Sequence, residues 1–418
     1  MKQQEFTNIY FYYLFIITLF AGIIFYDIIG FKAADEICGG LLLVLFFKQM
    51  FTTPDWPINK VFLFTLFIFS FYFLYSVYIG SNSIKAIGTD LIIQIKPYLA
   101  FFCTYQLMPK FNENQKKILQ DTSLLFWFLF LPIGLIGATD EHFFNHTVGH
   151  PSCYAAIITA LSFTYLYCGK FTKKEKLIFF IMLAAGIASG RSKFYGFYVF
   201  ALFVELYLSK SENLKLNTKN IIASLILISV MVFVAREKLD LYFIQGISES
   251  SENKDLIARF MLYSTSFFIL IDYIPFGSGL ASFATHASAI HYSSIYTEYG
   301  IDYVWGLSKT YNKFIADTYY PSLAQFGIVG IILFVSFWIY ILCKSIKCSK
   351  KINNAQLFTI ACLIIGYLFI ENIADASFTS NRGLFMMIFL GLIVANQKGL
   401  ILNHKHIEQI TTNIKKND

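Results

Sequence analysis

Residues 60–79 read KVFLFTLFIFSFYFLYSVYI, a run whose only charged residue is the lysine that opens it. A helix of about twenty such residues covers the roughly 30 Å of hydrocarbon in a bilayer, so the stretch reads as a membrane span. Comparable runs lie to either side, at 9–29, 34–51, 91–108, 122–138, 152–168, 175–189, 193–209, 220–235, 320–343, 355–371 and 383–397. Together they predict an all-α polytopic membrane protein with about 12 transmembrane helices. Composition agrees, since 56% of residues are apolar and 14% charged, with a mean hydropathy of +0.58. The many Phe and Tyr suit both the lipid face and the headgroup belt, and carry no functional signal.

Lysines cluster in alternate connections: Lys110, Lys116 and Lys117; Lys170, Lys173, Lys174 and Lys176; Lys210, Lys215 and Lys219; Lys344, Lys347, Lys350 and Lys351. The positive-inside rule places those loops, and both termini, in the cytoplasm. The first apolar stretch is long enough to span and has no small-residue cleavage site, so it reads as an uncleaved anchor. The net charge of +7 follows largely from these lysines and implies contact with anionic membrane lipid, not nucleic acid. The seven cysteines sit in or beside apolar spans, with neither a disulfide framework nor zinc spacing.

Four regions follow: spans 1–9 over 1–235, a large outer loop over 236–319, spans 10–12 over 320–397, and a cytoplasmic tail over 398–418. The loop is far longer than a simple connection needs, so function is expected there. Within it, Ala258 to Asp272 is too short to cross comfortably and puts Arg259 and Tyr263 on one helical face, as in a helix lying at the membrane surface. Pro275, Phe276, Gly277, Ser278 and Gly279 follow. The two glycines can bring backbone amides close to an oxyanion or a sugar, or simply make a turn. His286 to Tyr311 mixes His, Tyr, Ser, Glu298, Asp302 and Trp305, a composition that fits carbohydrate and equally an ordinary soluble cap.

All four arginines of the chain, Arg191, Arg236, Arg259 and Arg382, fall on the outer side, while the inner side carries only lysine. A guanidinium forks two hydrogen bonds onto phosphate where an ammonium offers one compact charge, so the asymmetry points to an outer site for an anion. Arg191, with Lys193 beside it, leads; a snorkelling arginine at a helix end is the plainer alternative. For a general base, Asp317 leads, against a plain helix cap, with His286, His291 and His150 in reserve. His142, His146 and His150 share a spacing of four that can bind metal on a helix, but Gly149 and Pro151 place them in a loop, and no metal is expected. Asp27, Asp35, Glu36, Glu371 and Asp375 at span edges are costly in lipid and should face the bundle or water. Glu371 and Asp375 share a helix face near Arg382 and can orient it.

Three elements in order carry a family likeness: Ser189, Gly190, Arg191 and Ser192 at the outer end of a mid-chain span; the arginine helix with Pro275 to Gly279; and Asp317 to Gly330 (DTYYPSLAQFGIVG) entering the next span. This arrangement resembles the O-antigen ligase and polymerase superfamily over roughly residues 150 to 335. The resemblance implies a GT-C-like architecture and a metal-independent glycosyltransferase with no cofactor. It further implies an undecaprenyl-diphosphate-linked glycan bound on the periplasmic face of the inner membrane, with a chain-length regulator as a further partner. The ligases carry a histidine where this chain has Ala316 and Asp317, and a glutamate where it has Gln325. Asp317, Tyr319, Tyr320 and Pro321 look more like the polymerases. On that reading Asp317, Arg191 and Arg259 are catalytic, and Arg191, Lys193, Arg236, Arg259, Arg382, Gly277, Gly279, His286, His291 and Tyr319 bind diphosphate and glycan. A transporter is the competing class, since many carriers share this layout, but residues 1–209 and 210–418 show no self-similarity. A non-catalytic assembly subunit is the third.

Overall fold

The computed structural model describes residues 2–30, 33–54, 56–208 and 254–417. These residues are all-helical. The expected span at 220–235, Arg236 and the start of the outer loop lie outside them.

Each remaining apolar run falls on a helix. In chain order these are α1 (Lys2–Leu19, closed by a π turn at Phe20–Ile24), α2 (Tyr26–Ile29), α3 (Ala34–Thr52), α4 (Lys60–Ile79), α5 (Ile84–Leu107), α6 (Glu113–Gly137), α7 (Glu141–Thr147) and α8 (Pro151–Cys168). α9 (Lys173–Ala184) ends in a 3-10 turn at Ala185–Ser189, and α10 (Ser192–Phe203) in a π turn at Val204–Leu208. Then come α11 (Lys254–Asp272), α12 (His286–Ile290), α13 (Ile295–Glu298), a 3-10 turn at Tyr320–Phe326, α14 (Gly327–Ile352), α15 (Gln356–Glu371), a 3-10 turn at Ser377–Thr379 and α16 (Asn381–Asn417).

Among the described residues six helical stretches are long and apolar enough to cross a membrane: Gln3–Ile24, Lys60–Ile79, Ile84–Leu107, Glu113–Gly137, Tyr320–Ile352 and Asn381–Leu402. α15 is apolar but shorter. The chain is therefore a helical membrane protein. α5 and α6 begin well before the runs at 91–108 and 122–138. Their first two turns carry Lys85 and Asp90, or Glu113 and Lys116, which lower local hydropathy without breaking the helix. Ser83 caps one by accepting from the Ala86 amide, and Asn112 with Gln115 closes a capping box on the other.

α8 and α16 sit inside the bundle. Every residue of α8 except Cys153 is buried, and α16 runs along α5. α4, by contrast, leaves Phe64, Phe67 and Leu74 more than half exposed, as a helix facing lipid does. Lys96, beside Pro97 within α5, forms an ion pair with Asp35 of α3 and lies 3.7 Å from Glu36. Both partners of this charged pair in the bundle are thereby compensated.

The segment from α11 to Ile315 builds a small core of its own, from Leu262 and Ile269 of α11 with Phe283, Tyr296, Leu307 and Ile315. α11 then lies against the turn at Tyr320–Phe326, which leads into α14. This brings Arg259 over the start of that turn.

Candidate functional site

Three chain reversals meet at one end of the bundle. Gly190, in the left-handed region at φ +66°, stops the turn after α9 and leaves Arg191 extended at the cap of α10. Arg191 and Lys193 thus stand at a helix mouth. α15 stops at Glu371, and the Asn372 side chain accepts from the Phe378 amide at 2.9 Å, which folds 372–380 back into α16. Asp375 then lies in a reversal between Glu371 and Arg382. The third reversal is Asp317, just before the turn into α14.

The side chains interlock. Arg382 pairs with Asp375: its Nη2 donates to Oδ1 at 2.9 Å, and its Nη1 lies 2.9 Å from Oδ2. Lys193 Nζ lies 2.5 Å from Glu371 Oε2 and 3.5 Å from Asp375 Oδ2. Arg259 reaches a single oxygen of Asp317, Oδ2, with Nε at 2.7 Å and with Nη2. Arg191 Nη2 is 3.0 Å from His150 Nε2, the histidine that caps α8. The groups also act on one another across these pairs: Asp375 and Lys193 both act on Asp317, and Arg191, Asp375, Lys193 and Arg382 all act on His150. Four cations therefore share one electrostatic neighbourhood with three carboxylates and an imidazole.

Each acid is set differently. Burial alone would raise the Asp375 carboxyl, but Arg382 and then Lys193 outweigh it and hold it at about 2. Asp317 goes the other way, because burial raises its carboxyl further than Arg259 lowers it. For His150, burial of part of the ring and then the nearby Arg191 push the imidazole below its ordinary value, so it is neutral at pH 7. A neutral imidazole has one lone-pair nitrogen. Here Nδ1 faces the Ser152 amide at 3.2 Å while Nε2 faces Arg191, so within the protein one of the two approaches is donor to donor. An anionic oxygen resting between a protonated Nε2 and Arg191 accepts from both and removes that conflict.

The remaining expected residues lie elsewhere. Gly277 and Gly279 donate their amides to Tyr273 O at 2.7 Å and Gln325 O at 2.9 Å. A Cβ on Gly277 would lie 2.2 Å from the Gly327 nitrogen, so the pair lets two backbones touch. Both amides are spent within the fold, which corrects the expectation that they face an oxyanion or sugar. Tyr319, expected against glycan, is 2% exposed among Phe334 and Phe378, with its hydroxyl bonded to Tyr98. It is a packing residue. His286 is exposed at the first turn of α12, and the carbonyl of His291 accepts from Asn82 at 2.7 Å. His142 and His146 do share a helix, with ring centroids 4.4 Å apart, whereas His150 turns away to Arg191. Among the described residues no three His, Cys, Asp or Glu side chains converge on a possible metal position.

Neither a protein-family model nor a curated protein matches this chain. What the cluster does is therefore argued from its residues. Two partnerships were not legible in advance: Glu371 with Lys193, and His150 with Arg191. The helix face expected to carry both Glu371 and Asp375 does not form, because α15 ends at Glu371; the reversal after it brings the two carboxylates to Lys193.

Proposed function

We propose that the protein is a GT-C-like glycosyltransferase of a bacterial inner membrane, with about 12 spans, both termini cytoplasmic and its site open to the periplasm. In this reading it polymerises undecaprenyl-diphosphate-linked repeat units of O-antigen or a related surface polysaccharide. The observation that supports the reading is the meeting of Arg191, Lys193, Arg259 and Arg382, from three distant parts of the chain, in one cluster with His150, Asp317, Glu371 and Asp375. A diphosphate leaving group needs cations and an acceptor hydroxyl needs a base, and this cluster holds both.

In the proposed reaction the acceptor hydroxyl gives its proton to Asp317 as its oxygen bonds to the donor's anomeric carbon. The bond from that carbon to the diphosphate breaks, and the electron pair leaves with the diphosphate. Arg191 meets the charge that develops, and His150 Nε2 donates alongside it. Asp317 Oδ1 suits the base role, since among the described residues it accepts no hydrogen bond. Arg382 and Asp375 position the cluster and take no part in proton transfer.

A ligase that passes glycan to lipid A core is the second reading. It is favoured by one observation, the presence of a histidine, His150, beside Arg191. Against it stands Gln325, fully buried where the ligases place a glutamate. The lipopolysaccharide of cells deleted for this gene separates the two. Core bearing a single repeat, with the ladder gone, is the polymerase result; core with no repeat, while lipid-linked polymer accumulates, is the ligase result. An unchanged ladder overturns both.

Arg191→Lys keeps the charge and loses the fork. We expect complementation of the ladder with this variant to fall by about a hundredfold at equal protein level in the membrane. Full activity would make Arg191 a snorkelling residue only.

A further inference from the structure

At the end of the bundle opposite the arginines, four lysines lie without an acid. Lys344 of α14 stands 4.1 Å from the ring centroid of Tyr105 and donates to Tyr340 Oη at 2.8 Å. Lys398 of α16 stands 5.3 Å from the same ring, close enough to Lys344 for the two charges to repel. Lys110, just past α5, packs its Nζ 3.8 Å from the position a Cβ on Gly399 would take. Lys351, one turn pair beyond Lys344 on α14, acts on Cys348 together with it. Among the described residues none of these four lysines makes an ion pair.

Two cations elsewhere at helix ends do have a carboxylate, Lys116 with Glu113 and Lys176 with Glu205. Holding Lys344 and Lys398 over one tyrosine without one is unfavourable unless an anion completes the group. Position says which anion. Along α16, Lys398 is sixteen residues from Arg382, about 24 Å at 1.5 Å per residue, nearly the thickness of the hydrocarbon layer. The lysines therefore stand at the headgroup level of the leaflet away from the arginine cluster, with Tyr105 and Tyr340 where interfacial aromatics lie.

We propose that Lys344 and Lys398, set over Tyr105, with Lys110 and Lys351 at the same end of the bundle, form a binding site for the headgroup of an anionic phospholipid. The phosphate bridges Lys344 and Lys398. The site lies across the bilayer from the proposed transfer chemistry and does not depend on it.

Native mass spectrometry of the full chain in neutral detergent tests this, with phosphatidylglycerol, phosphatidylcholine and inorganic phosphate as probes. Phosphatidylglycerol is expected to bind, phosphatidylcholine to bind at least tenfold more weakly at about 1 kcal/mol per basic residue, and inorganic phosphate not to displace the lipid. Equal affinity for the two lipids, measured on the unsubstituted chain, overturns the proposal. Displacement by inorganic phosphate at equal concentration also overturns it, because the site would then take the free ion. Lys344→Gln with Lys398→Gln should weaken phosphatidylglycerol binding by about thirtyfold, and the corresponding arginine pair should restore it. Lys173→Gln with Lys174→Gln, in another connection, should leave it intact; an equal loss there would mean diffuse charge and no site.

Discussion

Asp317→Asn is expected to leave a folded, membrane-inserted protein that extends glycan about a thousandfold more slowly. The substitution keeps shape and the hydrogen bond from Arg259, and removes only the capacity to take a proton. Asp317 stands at 31% side-chain exposure against 21% for Arg259, so an asparagine there is not an orphaned polar group. The pH profile distinguishes a base from a helix cap. Because burial raises the Asp317 carboxyl above the ordinary aspartate range, the acidic limb of activity should fall at higher pH than a solvent-exposed aspartate would give. Arg259→Gln removes the charge that opposes this rise, and should move the limb further up while weakening diphosphate binding. The stability sign is the reverse of activity. A carboxyl whose folded value is raised binds its proton more tightly in the native state, so its contribution grows as pH falls through that range and diminishes as pH rises. Activity and stability should therefore diverge with acid, and a limb unmoved by Arg259→Gln would take the base role away from Asp317.

The helical membrane class was legible because a bilayer leaves few choices. An apolar run has to be a helix, and the runs at 60–79 and 152–168 coincide with α4 and α8 to within a residue or so. Helix starts were less legible at α5 and α6, where charged first turns hide from hydropathy and only the caps, Ser83 and Asn112, announce them. Arg191, Lys193, Arg259, Arg382 and Asp317 were singled out as residues, but nothing local could bring 191, 259, 317 and 382 together. That depends on three reversals packing against one another, set by Gly190, the Asn372 side chain and the core under α11. Tyr319 and the glycine pair misled for a shared reason. Aromatics and glycines serve close packing as readily as ligand contact, and sequence alone does not say which side of the backbone is occupied.

Asp375→Asn should be the most destabilising single change in the cluster, by about 3–5 kcal/mol. Asp375 accepts from Arg382 Nη2 at 2.9 Å, has Nη1 at the same distance and sits 3.5 Å from Lys193. Without its charge Lys193 keeps Glu371 at 2.5 Å, while the fork of Arg382 loses its ionised partner in a site only 15% exposed. The loss thus falls on Arg382, and Asp375→Asn with Arg382→Gln should recover much of it, since the remaining groups are neutral and can bond each other. Its pH dependence is also fixed. Asp375 is held at about 2, below its unfolded value, so its contribution is complete above the ordinary aspartate pKa of about 4 and is lost only as pH falls toward 2. Chemical denaturation in detergent should find the same gap between the unsubstituted chain and Asp375→Asn from pH 5 to pH 8, closing below pH 4. A gap under about 1 kcal/mol, the scale of an exposed pair, would mean that Arg382 is not anchored by Asp375. The positioning of the arginine cluster would then have to come from the backbone reversals alone.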